Sequence, residues 1–160
     1  MASVRQEVVN AIISKLQQIT VANNYSFDVG SSRVYRKADS PELMPTPSII
    51  AVQGEESIEN EYSDLYECSL DMIIGFVDQY SGDDPETYAN SFLRDIQTSL
   101  DRQFEVTVKQ YGTGNSSTTT VQMKEQGNTI TVSEALQGYV LGQVVYDVRY
   151  RRHTEDPDSI

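Results

Sequence analysis

His153 is the single histidine and Cys68 the single cysteine of this 160-residue chain, and their positions narrow the chemistry open to it. A nucleophile needs a base held by a rigid neighbour. His153 falls in a polar terminal stretch, so neither a Ser-His-acid nor a Cys-His pair can be assembled on a rigid element. Cys68 lies on the inward face of an alternating strand, where a thiol packs as a small hydrophobe. One thiol and one imidazole do not make a structural zinc site. Carboxylates are plentiful, yet they fall in turns and the chain has no tryptophan, so they read as a solvated acidic face with no sugar platform. Asp78, Gly82, Asp83, Asp84 and Glu86 lack the alternating oxygen spacing of a calcium loop. Gly112-Thr113-Gly114 is only a fragment of a nucleotide fingerprint, with no helix pattern after it. Asn115-Ser116-Ser117 matches a glycosylation acceptor, but no secretion signal gives it meaning. The expectation is therefore no enzyme, no cofactor and no metal. A small carboxylate- or metal-dependent enzyme is the alternative of a different class.

The elements that position these residues follow from periodicity. Ser3 and Gln6 have capping-box spacing, and Val4, Val8, Ala11, Ile12, Leu16 and Ile19 form one stripe, predicting a helix over 3–19. Residues 20–47 leave short strands and extended loop both open, with Pro41, Pro45 and Pro47 excluding a central strand near them. Ser48 to Val52 reads as a buried strand entering a polar turn at Gly54, Glu55 and Glu56, with Ile58 to Tyr62 continuing beyond. The plainest strand has Tyr66, Cys68, Leu70, Met72, Ile74 and Phe76 on one face and Glu67, Ser69 and Asp71 on the other. From Ile73 to Val77 both faces turn apolar, so another element or another chain must cover that end. Asp84 as N-cap and Pro85 at the first helical position open a second helix, with Tyr88, Ala89, Phe92, Leu93, Ile96 and Leu100 as its stripe. Phe104, Val106 and Val108 alternate in a further strand. Residues 111–120 read as a mobile loop or extended hairpin tip. Val121–Lys124 and Thr129–Val132 read as two short strands joined through Gly127-Asn128. A last strand over 139–151 turns Val140, Val144, Tyr146, Val148 and Tyr150 inward. This order predicts an α+β fold: an antiparallel sheet with two α-helices packed on one face and an extended hairpin or loop. One domain is expected over 1–152, followed by a disordered polar tail over 153–160.

Charge is strongly segregated. Between Lys37 and Arg94 lie thirteen carboxylates and no basic residue, while Arg33, Arg36, Lys37, Arg149, Arg151 and Arg152 stand apart. A net charge of −12 argues against free-standing nucleic-acid binding, which rests on cations, and against attraction to anionic membranes. A hydrophobic fraction of 38% that counts ten tyrosines leaves a thin aliphatic core, which suits a subunit completed by neighbours. Without a signal or a membrane-length apolar run, the chain is expected to be soluble and made in a cytoplasm.

The helix at Val4–Ile19, the strand Pro47-Ser-Ile-Ile-Ala-Val-Gln-Gly-Glu-Glu, the long strand Tyr66–Val77, the Asp-Pro helix at 84–101 and the closing strand 139–151 together carry a resemblance. Their order resembles that of the tail-terminator and tail-completion proteins of long-tailed bacteriophages. The similarity spans most of the chain and is one of pattern. It implies a virion protein at the head-proximal end of the tail, assembled in the host cytoplasm. It also implies a homo-hexameric ring that caps the tail tube, stops its growth and docks the neck, with DNA passing through without specific binding. The partners so implied are the tail tube protein, a sheath protein and the neck or head-completion protein. A neck or head-completion subunit is the alternative within the class. Between adjacent subunits, Arg149, Arg151 or Arg152 is expected to meet the acidic 55–71 region, including Glu55, Glu56, Glu59, Glu61 and Asp64. Each such interface would bury about 1,200–2,000 Å².

Overall fold

The computed structural model describes residues 2–37, 44–132 and 138–160. Two helices, α1 (Val4–Gln17) and α2 (Pro85–Leu100), accompany six strands: β1 (Val34–Tyr35), β2 (Ser48–Tyr62), β3 (Leu65–Gln79), β4 (Phe104–Lys109), β5 (Ser116–Val132) and β6 (Tyr139–His153). The strands form one curled sheet in the order β1-β2-β3-β6-β5-β4. Every pairing is antiparallel except that of the two-residue β1 with β2. The fold class is thus α+β, as the periodicity predicts, with a mixed sheet in place of a purely antiparallel one.

Both helices start where their caps dictate. The Ser3 hydroxyl accepts from the Gln6 amide at 3.2 Å, while the Gln6 side chain turns away to donate to Asn10, so only half of the capping box forms. Asp84 accepts from the Thr87 hydroxyl at 2.7 Å and the Thr87 amide at 3.1 Å, and these bonds, the hydroxyl's first, lower its carboxyl below the ordinary value. The helices then bury their stripes against one face of the sheet. Val8, Ile12, Leu16, Phe92, Ile96 and Leu100 share a single core with Leu70, Met72, Ile74, Val144, Tyr146 and Val148. Phe76 stacks on Phe92, with ring centroids 4.7 Å apart, and Phe92 stacks on Phe27 at 4.3 Å. A buried carboxylate staples the irregular 24–29 segment to α2, because Asp95 Oδ2 accepts from the amides of both Ser26 and Phe27 at 2.9 Å. Tyr25, Phe27 and Val29 alternate without forming a strand. A short 3₁₀ helix, Val21–Asn23, precedes them, and Pro41 lies outside the described residues.

Three expectations are corrected. The two short strands over 121–132 are one strand, β5, which begins already at Ser116; a bulge between Glu125 and Gly127 absorbs the Gly-Asn signal. The predicted loop shrinks accordingly, with Gly112 and Gly114 at positive φ turning the chain between β4 and β5. The segment 153–160 is not a free tail. His153 ends β6 and is buried, and Ser159 is fully buried. Pro157 O accepts from the Val4 amide at 3.0 Å, the Ile160 amide donates to Lys109 O at 3.0 Å, and the Tyr111 amide donates to Ile160 O at 2.8 Å. Composition marked this stretch as polar, but its backbone finds partners on α1 and the end of β4.

Two outcomes test this packing. A Cβ at Gly142 would overlap the Phe76 ring and lie 2.9 Å from Thr129 O, so Gly142→Ala should cost about 1–3 kcal/mol by overpacking, read from urea unfolding. Burial raises the Asp78 carboxyl above its ordinary 3.8, against the bonds it accepts from Tyr88 and Gln79. The folded chain therefore binds that proton more tightly than the unfolded one. The Asp78 contribution to stability is full below the unfolded value and falls as pH climbs through the raised folded value. Asp78→Asn should flatten that fall, so the variant gains on the parent between acid and neutral pH in matched unfolding curves.

Candidate interface

The alternation of β3 sends even-numbered side chains to the helices and odd-numbered ones to the opposite face, and the register with β6 carries this division across the sheet. No helix of the described residues packs on that second face; α1 and α2 contact each other and share the core. It divides into two halves. Towards the C-terminal end of β3, Ile50, Val52, Ile73, Gly75, Val77 and Leu141 join Met44 in lining an apolar groove of about 380 Å³. Ile73 remains 38% exposed there. This is the stretch where both faces of β3 turn apolar, so the sequence marked it as needing a cover.

The other half is charged by the odd-numbered Glu67, Asp147, Arg149 and Arg151, whereas Arg152 and Glu56 meet on the helix side, opposite Tyr66 and Leu70 in their ladders. Arg152 lies 3.3 Å from Glu56, which also accepts from the Tyr150 hydroxyl on the helix side of the sheet. The guanidinium of Arg152 further sits 5.2 Å from the centre of the Tyr66 ring. Arg149 Nε donates to Asp147 Oδ2 at 2.9 Å, and Ser69 Oγ donates to the same carboxylate. Arg151 lies opposite Glu67 in the ladder and 5.5 Å from the Tyr62 ring centre. Arg149 and Arg152 thus each have a carboxylate partner within their own chain. Because β6 pairs with β3 and β3 with β2, the basic strand already lies beside the acidic hairpin of its own chain. One pair of the segregated charges, Arg152 with Glu56, meets across the sheet.

The remaining acids sort by position. Glu55, Glu59 and Glu61 stay exposed along the distal half of β2, with Ile58 and Tyr62 about half exposed among them. Asp64, at the turn into β3, instead faces the buried His153, with Oδ2 3.4 Å from Nε2. His153 Nδ1 accepts from the Glu155 amide at 3.1 Å, which leaves the proton of the neutral ring on Nε2, towards Asp64. Tyr111 stacks on the imidazole at 3.6 Å between centroids, and the Thr154 amide donates to Asp64 O at 2.8 Å. The sequence places His153 at the start of a disordered polar tail. It is a packing residue that ties the 154–160 segment to the β2–β3 turn, and no local periodicity announces such a contact.

Other chemistry-bearing residues are placed plainly. Cys68 is fully buried, and desolvation pushes its thiol up. Among the described residues no group of three His, Cys, Asp or Glu could hold a metal ion, and no helix is long and apolar enough to cross a membrane. Tyr146 donates to Asp101 and Tyr88 to Asp78, and burial together with those carboxylates raises both phenols. These are satisfied structural pairs. No protein-family model matches the chain, and no curated protein matches it either.

Arg152→Ala strips Glu56 of its cation while leaving the carboxylate largely covered. It should destabilise the folded subunit by about 1–3 kcal/mol in denaturant titration, even in a dilute, monomeric sample. A stability loss that appears only at concentrations where copies associate would place Arg152 in a contact between copies.

Proposed function

We propose that this chain is a structural assembly subunit of a bacteriophage tail, the terminator that closes the finished tube. One observation carries the reading. The sheet has helices on a single face, and its other face is half apolar groove and half charged surface carrying the Arg149–Asp147 pair, with no helix of the described residues across it. An open apolar groove costs free energy unless something covers it. The order of helices and strands, on which the resemblance to tail terminators rests, supports the same class.

In this role six copies form a ring at the head-proximal end of the tail, stop tube growth and present a docking surface to the neck. The tube protein, a sheath protein and the neck protein are its partners. The net charge of −12 per copy gives the ring an acidic lumen that repels the DNA backbone, so the genome passes without adhering.

The purified chain added to polymerising tube subunits should arrest growth and appear by negative stain as an annulus at one tube end. Loss of the chain from the phage that encodes it should leave tubes of uncontrolled length. Tails of normal length that fail to join heads would assign it to the neck, and tube growth indifferent to it would end the reading.

A further inference from the structure

The sheet has two long strand edges that the described chain leaves without a partner strand. β1 covers β2 only at Ile49 and Ile50, and Arg5 Nη2 donates to Gly54 O at 3.2 Å. Beyond that, residues 55–62 have β3 on one side and no strand on the other. At the opposite margin β4 pairs β5 only over Ser116–Val121, so residues 122–132 have β6 on one side and no strand on the other. Each open edge presents a row of backbone donors and acceptors that a further strand can satisfy.

We infer that the edge of β2 at 55–62 pairs with the edge of β5 at 122–132 of a second copy of this chain, head to tail. Three features select that occupant. The first is direction. β2 is antiparallel to β3, β3 to β6 and β6 to β5, so β2 and β5 of one chain run oppositely. A copy rotated about an axis along the strands keeps those directions, and its β5 then meets β2 in an antiparallel ladder. The second is charge. Glu55, Glu59 and Glu61 are exposed on the β2 edge, so two β2 edges would set carboxylate against carboxylate, which disfavours a two-fold dimer. The β5 edge, Gln122-Met-Lys-Glu-Gln-Gly-Asn-Thr-Ile-Thr-Val132, carries one cation and one anion, and Glu125 is engaged by Gln97 at 3.0 Å and by Asn128 at 2.7 Å. It meets the acidic strand with amides, hydroxyls and Lys124. The third is apolar surface, since Ile58 at 50% and Tyr62 at 51% exposure would be covered by the incoming strand.

Because the two edges differ, the contact is heterologous, and repetition gives a closed ring or an open filament. The inference rests on the self-assembly of the proposed function, to which it adds the surfaces that meet. It also moves the joint away from the arginines of β6 to two backbone edges.

The test uses single substitutions at exposed positions, Ser57→Cys on β2 and Thr129→Cys on β5, in the otherwise intact chain; the native Cys68 is buried. Purified variants at high concentration are treated with a short bis-maleimide, separately and mixed, with light scattering in parallel. The expected result is covalent dimer from the mixture and none above parent level from either variant alone, with the double variant giving a ladder of higher multimers. Dimer from Ser57→Cys alone would make the contact isologous and overturn the inference. So would assemblies that form without cross-linking in the mixture, and this leaves the terminator reading standing on its tube-length assay. A chain that stays monomeric at the highest soluble concentration also overturns it, making the exposed glutamates a guard against edge aggregation.

Discussion

The pairing of β3 with β6 is the constraint on which the remaining structure depends. Leu65 through Gln79 match His153 through Tyr139 residue for residue, without a slip. A shift of one position would carry Leu70, Met72, Ile74 and Phe76 out of the core and bring Glu67, Ser69 and Asp71 into it. The register is therefore held by the whole apolar content of one face. Everything else is placed relative to it: the helices lie over the even-numbered side, the acidic hairpin lies beside the basic strand, and the groove opens on the odd-numbered side.

The irregularities fall away from that spine. β2 slips against β3 between Gln53 and Glu56 and again between Ile58 and Asn60, and β5 slips against β6 between Glu125 and Gly127. Bulges add twist and bend a strand, and these sit in the strands that end with unpaired margins. The same geometry turns Glu56 to the helix side, under Tyr150 and Arg152, while Glu55, Glu59 and Glu61 stay in water. One acidic run thus has two fates. Part of it is consumed in the fold, and part remains as a surface feature that another strand would meet.

The electrostatics of the isolated subunit also depend on this spine. Arg149, Arg151 and Arg152 are remote in sequence from residues 55–67, yet each finds a carboxylate or an aromatic face on its own strand, on β3 or on β2. Beside the exposed Glu55, Glu59 and Glu61, the described residues leave backbone at the sheet margins and apolar surface at one end of the bare face. Association driven by these would be less sensitive to salt than association driven by surface ion pairs, which ions screen readily.

The sequence by itself determined the local structure. Ser3 and the Asp84-Pro85 pair set the helix starts, alternation from Tyr66 to Phe76 set the central strand, and the doubly apolar Ile73–Val77 stretch marked a surface needing cover. Those signals arise from neighbours a few residues apart, where steric and capping preferences act directly. Only the tertiary structure decided what depends on distant segments. It joined 116–132 into one strand because β4 offered a ladder over 116–121 and β6 one over 122–132, and it ordered 154–160 because α1, β4 and Asp64 offered partners. It also matched Arg152 with Glu56, ninety-six residues away. The polar composition of the terminal stretch and the charge blocks along the chain carry no information about which strand will lie alongside, since the order of strands in the sheet sets that, and long-range packing sets the order.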